Sequence, residues 1–167
     1  IVNYRMIDFP VHGDNRGKLV ALEGGQDSIP FEIKRMYYMF DTLPNESRGF
    51  HAHTKLEQVI IAMDGACRFV LDDGEKRETV LLNRPDVGLY IGPGMWREMH
   101  DFSYGCKLVV LASEHYDDED AGKAWGKDMV VKSINKRLEQ QIQDRFNDLN
   151  EKIKSELEEM IMDMRIS

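Results

Sequence analysis

RGFHAHTKLEQVIIAMDG, residues 48–65, is the stretch on which the fold turns. In an extended strand residues two apart share a face, so His51 and His53 project together. The apolar run that follows ends at Asp64-Gly65, a hairpin-type signal because glycine accepts positive φ. Reading outward from it, the chain up to about residue 113 is a series of short β-rich runs: YRMIDF, KLVALEG, FEIKRMYYMF, CRFVLDDG, ETVLLN, VGLYIGP and CKLVVLAS. Asp73-Gly74 repeats the hairpin signal. Alternation is clearest in Phe31, Ile33, Arg35, Tyr37 and Met39, which fall on one face and leave Tyr38 on the other. Many short strands at fairly regular spacing point to a mainly β fold, an antiparallel β-barrel or double-sheet jelly roll.

After the acidic run Asp117-Asp118-Glu119-Asp120 the period changes. Apolar residues then recur in steps of three and four: Val131, Ile134, Leu138, Ile142, Phe146, Leu149, Ile153, Leu157, Met160 and Met164. This is a long C-terminal amphipathic α-helix, on the order of 50 Å at 1.5 Å per residue. Spacings of eleven link Leu138, Leu149 and Met160, which favours a straight or slightly right-handed pack over a heptad coil. The expected organisation is a barrel over 1–120, a linker over 121–132 and a helix for assembly or docking over 133–167.

Composition narrows the function. Thirty acidic against 22 basic side chains, a net charge of −8, argue against a nucleic-acid partner, whose phosphates demand clustered cations. The two cysteines, Cys67 and Cys106, lack metal-site spacing and fit a reducing compartment. No apolar run is long enough for a membrane span, so a soluble, cytoplasmic protein is expected.

The spacing H-x-H-x-x-x-E from His51 to Glu57, followed by Gly65, matches the first motif of the cupin barrels. Gly88-Leu89-Tyr90-Ile91-Gly92-Pro93-Gly94 resembles the second. In many cupins these motifs hold a metal through two histidines, a glutamate and a further histidine, a donor set suited to iron, manganese, nickel or zinc. Here the run after Pro93 is Gly94-Met95-Trp96-Arg97-Glu98, so the last ligand is missing and a cation stands nearby. No metal and no cofactor are therefore expected, although Glu57 and His100 remain possible donors in sequence.

The fuller resemblance is to the nucleotide-sugar 3,4-ketoisomerases, metal-independent cupins. It is carried by Asp14-Asn15-Arg16-Gly17, the run Ile29 to Arg35, Tyr37-Tyr38, Arg48 to His53, Leu56-Glu57-Gln58-Val59, Leu71-Asp72-Asp73-Gly74, Val87 to Tyr90 and Trp96 to His100. What it implies is conversion of dTDP-4-keto-6-deoxyglucose to a 3-keto sugar on the way to 3-amino-3,6-dideoxyhexoses of surface glycans. By resemblance His51 is the principal base, His53 orients or relays, and Tyr37 donates to the intermediate. Arg16, Arg48, Arg97 and Trp96 are the substrate-binding candidates, and a homodimer is the expected assembly, with further association through the helix. His12 and His115 are expected on the surface. The rivals are a 3,5-epimerase on the same substrate, a metallocupin dioxygenase, and a non-catalytic sugar-binding cupin.

Overall fold

In the computed structural model the described residues are 3–120 and 127–166. The strands are β1 (Tyr4–Asp8), β2 (His12–Asp14), β3 (Gly17–Leu19), β4 (Arg35–Met39), β5 (Arg48–His51), β6 (Gln58–Asp64), β7 (Cys67–Asp72), β8 (Arg77–Leu82), β9 (Val87–Ile91), β10 (Trp96–His100) and β11 (Lys107–Ala112), followed by helix α1 (Lys127–Ile166). They form a five-stranded sheet in the order β1-β9-β6-β11-β4, a four-stranded sheet β5-β10-β7-β8, and a separate hairpin β2-β3. All the pairings between these strands are antiparallel. This is the expected double-sheet jelly roll.

Strand parity builds the core. On β6, Ile60 and Ala62 turn inward beside Val110 and Leu108 of β11, their register partners. Cys67, Phe69 and Leu71 of β7 meet them from the other sheet, with Leu89 and Ile91 of β9. Both cysteines are buried and free, as packing residues. Each fully buried aliphatic side chain contributes about 1.5–3 kcal/mol. The opposite parity of β6, Val59 and Ile61, packs outward under Phe9, Ile29, Phe31 and Leu111.

Two expected strands are shorter than their apolar runs. In FEIKRMYYMF only Arg35–Met39 is a strand. Phe31 and Ile33 join the outer cluster, so the alternation they share in sequence with Tyr37 breaks just before Arg35. In KLVALEG pairing ends at Leu19, and Val20 and Leu22 also go to the outer cluster. The Asp64-Gly65 turn holds, with Gly65 at φ 71°.

The helix begins at Lys127, six residues earlier than expected, so 127–132 are helical and not linker. Of the expected linker, residues 121–126 lie outside the described residues. Taken by itself, α1 carries the apolar stripe from Val131 to Met164 at 40–69% exposure. No helix among the described residues is long and apolar enough to cross a membrane.

Candidate active site

The site starts from an irregularity in β5. Arg97 of β10 pairs with His51, but Glu98 pairs with Gly49, so Phe50 is an extra residue without a partner. Such a bulge bends its strand and re-aims the next side chain. Gly49 and Phe50 both adopt positive φ, 91° and 59°. Glycine meets this at little cost; for phenylalanine the left-handed conformation costs roughly 1–2 kcal/mol. Phe50 turns outward to an edge contact with His100, ring centres 5.8 Å apart. His51 is thereby placed opposite Arg97. Strand β5 ends there, yet His53 follows onto the same side: the two imidazoles meet edge to face, 4.8 Å between centres.

Both histidines line a cavity of about 880 Å³, together with Arg35, Tyr37, Lys55, Leu56, Glu114, His115, Tyr116, Asp117, Asp118 and Asp120. That volume suits a ligand larger than a monosaccharide. His53 Nδ1 lies 3.1 Å from Asp120 Oδ2, a carboxylate that also accepts from the Thr54 backbone N–H at 3.1 Å and from the Thr54 hydroxyl. A carboxylate accepts only, so Nδ1 carries the proton and Nε2 is left with its lone pair. Tyr37 reaches the cavity from β4 as the alternation requires, while Tyr38 turns to the outer side and is 63% exposed. The guanidinium carbon of Arg35 lies 5.4 Å from the centres of both the Tyr37 and Tyr116 rings.

Behind these residues lies a buried cation. Arg97 is 2% exposed. It donates to Gln58 Oε1, and through Nη2 to the Met95 carbonyl at 3.1 Å. Burial pulls its pKa down to about 10. Gln58 in turn donates through Nε2 to the Tyr37 hydroxyl at 2.7 Å. Burial lowers the pKa of His51, helped by the Arg97 charge and opposed by a hydrogen bond to the Gly49 backbone. His53 falls to about 4, through burial first and then the charges of Arg97 and His51, against the pull of Asp120. Both imidazoles are therefore neutral near pH 7, the state a general base needs. Burial raises the pKa of the Tyr37 phenol, opposed by Arg97, Gln58 and Arg35, so the group remains a protonated donor.

His51, His53 and Tyr37 thus come together, and the four substrate-binding candidates do not. Arg16 sits on the β2-β3 hairpin with its side chain 90% exposed, bound to Asp14 two residues away. Arg48 is exposed at the start of β5, outside the cavity wall. Trp96 has the wrong parity: on β10 it faces away from Arg97 and donates its indole N–H to Glu98 Oε1 at 2.9 Å. Arg97 is buried behind the wall and is not among the residues that line the cavity. Among the described residues the cations that do line the cavity are Arg35 and Lys55. Arg35 was legible in the same period-two face as Tyr37, whereas Asp120, Tyr116 and Lys55 are brought in by loops that no periodicity marks. His115, expected on the surface, is exposed and also lines the cavity.

The metal set of other cupins does not fit here. Glu57, the glutamate of the motif, points to the outer side, where the Tyr90 hydroxyl donates to its Oε1 at 2.7 Å. The inward position belongs to the next residue, Gln58, and a guanidinium occupies its oxygen. A metal cation beside Arg97 would meet like charge and an amide that is already engaged. Among the described residues no group of three or more metal-ligating side chains converges.

A double-sheet antiparallel barrel with paired histidines lining a cavity defines a protein of the cupin class. Residues 2–125 match the family described as "FdtA: WxcM-like, C-terminal", and the chain belongs to that family. It is 53% identical over 116 residues to the TDP-4-oxo-6-deoxy-alpha-D-glucose-3,4-oxoisomerase of Aneurinibacillus thermoaerophilus, covering 70% of this chain and 83% of that one. Among solved structures, the WlaRB TDP-quinovose 3,4-ketoisomerase of Campylobacter jejuni superposes with a TM-score of 0.73 at 52% identity, covering 79% of this chain and 99% of that one. A variant of the 3,4-ketoisomerase QdtA from Thermoanaerobacterium thermosaccharolyticum, in complex with TDP-4-keto-6-deoxyglucose, gives a TM-score of 0.73 at 41% identity, covering 82% and 97%.

Proposed function

We propose that this chain is a 3,4-ketoisomerase of dTDP-4-keto-6-deoxyglucose, producing the 3-keto sugar that a C3 transamination consumes. The observation that carries the reading is a neutral His51 and a protonated Tyr37 lining one cavity, with the buried Arg97 charge felt by both. His51 removes the C3 proton, made acidic by the C4 carbonyl, and electron density moves onto the C4 oxygen as an enediolate. Tyr37 donates to that oxygen, and Arg97 stabilises the developing negative charge through a low-dielectric interior. Return of a proton to C4, with loss of the proton from the C3 hydroxyl, places the carbonyl at C3. No atom is gained or lost. His53, held by Asp120, keeps an acceptor available to relay protons between the two oxygens.

The same reading assigns the diphosphate to the Arg35 and Lys55 side chains. The protein acts in the cytoplasm as a homodimer, with α1 adding a second contact. The support is the edge strand β4, which exposes Met36 and Tyr38 with Phe40 beyond it, and the half-exposed stripe of α1.

The test is incubation with dTDP-4-keto-6-deoxyglucose in deuterated water, with the product read by NMR. A carbonyl moved to C3, with deuterium in the sugar, is the expected result. His51→Asn is expected to abolish both while leaving dTDP binding within about threefold of the unsubstituted protein. A product inverted at C3 and C5 with its carbonyl still at C4 would overturn the reading in favour of an epimerase.

A further inference from the structure

We propose that Gln58 is the positioning residue that fixes which way the Tyr37 hydroxyl points, directing its proton into the cavity toward the sugar oxygen. This deepens the ketoisomerase reading and rests on it.

The argument is one of donors and acceptors. A guanidinium has no acceptor, so the side-chain atom of Gln58 that meets Arg97 must be the amide oxygen. The amide cannot flip without setting N–H against N–H. Its Nε2 is thereby committed to the other side, where it donates to the Tyr37 oxygen at 2.7 Å. The phenol oxygen accepts there, and its own hydrogen must point elsewhere. Tyr37 lines the cavity, so that direction is toward the ligand. A donated proton is what the C4 oxygen requires as it becomes an enediolate oxygen.

Strand register explains how the amide reaches the phenol. β11 lies between β6 and β4. Its Ala112 pairs with Gln58 on one side and Arg35 on the other, and Val110 pairs with Ile60 and Tyr37. Gln58 and Tyr37 are therefore diagonal neighbours across a single intervening strand, and the small Ala112 side chain leaves the amide its path. Gln58 is 2% exposed, so no water competes for either end. Arg97, Gln58 and Tyr37 form a chain in which every hydrogen bond runs one way, from buried cation to ligand.

The reversal can be tested with two variants. In Gln58→Glu the carboxylate keeps the Arg97 contact but can only accept from Tyr37, which turns the phenol proton away from the cavity. In Gln58→Met both polar contacts are lost and the hydroxyl is free to rotate. If Gln58 served only packing, Gln58→Glu would be the milder change. The effect of the new carboxylate on the Arg97 charge is present with or without the Tyr37 hydroxyl and is separated from positioning by a Tyr37→Phe background. Positioning gives the opposite order: kcat falls roughly 100-fold in Gln58→Glu and about tenfold in Gln58→Met, with KM within about threefold in each, in line with the contribution of a general acid. Assays run with a chelator, so that the new carboxylate recruits no metal.

In a Tyr37→Phe background both losses are expected to shrink to about twofold or less. Losses undiminished there would mean that Gln58 acts through Arg97 alone and would overturn the proposal, as would a Gln58→Glu enzyme faster than Gln58→Met. Should the unsubstituted protein fail to isomerise the sugar, the ketoisomerase reading falls, and the hydrogen-bond polarity is still decided by titrating ring-labelled Tyr37 by carbon NMR. Its pKa rises in Gln58→Glu if the phenol now donates to a carboxylate; an unchanged titration overturns the proposal. A Gln58→Glu protein that does not fold leaves Gln58→Met to decide, where the loss must be present with Tyr37 and absent with phenylalanine.

Discussion

Acidification is expected to destabilise this protein through His53 before its carboxylates titrate. The folded pKa is about 4, against an unfolded value near 6.5. As pH drops through 6.5 the unfolded chain takes up a proton that the folded protein refuses, so the unfolded state binds more protons and stability falls with pH. The loss begins near pH 6.5 and is complete near pH 4. Between pH 7 and 5 linkage gives about 2 kcal/mol, reduced to about 1–2 kcal/mol by residual solvent screening around the ring. The cause is local: His53 is 8% exposed and stands edge-on to His51, and its pKa is depressed by burial and by the Arg97 charge. Asp120 does not confuse the window, because its hydrogen bonds to Thr54 and His53 hold its own pKa below the usual value. The assay is urea unfolding followed by circular dichroism at pH 7, 6 and 5, for the unsubstituted protein and for His53→Asn, in which the amide can still donate to Asp120. The unsubstituted protein should lose about 1–2 kcal/mol more than the variant over this range. Parallel pH dependences in the two proteins would refute the reasoning.

Gly49→Ala is expected to damage the site through the bulge: its Cβ would meet the Arg97 carbonyl oxygen at 3.1 Å and Glu98 Cα at 3.3 Å at a φ of 91°. Melting should fall by several degrees and kcat by more than tenfold as His51 shifts, read by calorimetry and steady-state kinetics. Arg35→Met should weaken dTDP binding roughly tenfold or more by calorimetric titration, while dTDP-independent properties such as the melting temperature stay near the starting value. Leu149→Asp, in the middle of the α1 stripe, should lower the assembly state in sedimentation at micromolar concentration without changing kcat.

Much of the fold was legible because both of its periods are strict. The β-runs from Tyr4 to Ala112 and the stripe from Val131 to Met164 follow from spacing, as does the opposite facing of Tyr37 and Tyr38. The inward turn of Tyr37 came from the family resemblance, and His53 shares the side of His51 although β5 ends at His51. What escaped was set by contacts between distant segments. Phe31 and Ile33 have the parity of Tyr37 but are recruited by Phe9 and Val59 on the outer side, which ends the alternation. Trp96 and Arg97 are adjacent in sequence, and a one-residue difference in parity sends the first to Glu98 and the second to Gln58. Glu57 and Gln58 divide the same way. The motif drew attention to the carboxylate, whereas the strand delivered the amide. Asp120 lies 67 residues from His53 and no local rule pairs them.

The distribution of unsatisfied groups reconciles an acidic chain with an anionic ligand. Among the described residues four carboxylates line the cavity against two cations, which by count alone would repel a nucleotide diphosphate. Each of those carboxylates already accepts at least one hydrogen bond from the protein. Asp120 accepts from His53 and Thr54, Asp118 from the Tyr116 hydroxyl, Asp117 from the Glu119 backbone at 2.9 Å, and Glu114 from Lys34 at 3.3 Å. The buried side-chain polar atoms left without a partner are, among the described residues, both arginine Nε atoms, on Arg35 and Arg97. A buried donor without an acceptor costs about 1–3 kcal/mol, and a fold retains that cost where a ligand supplies the acceptor or the charge. Arg35 lies at the wall, where it can meet a phosphate. Arg97 is buried, where its charge is felt by both His51 and Tyr37. The net charge of −8 therefore describes the whole chain, while the buried side-chain polar atoms without a partner among the described residues are both cationic.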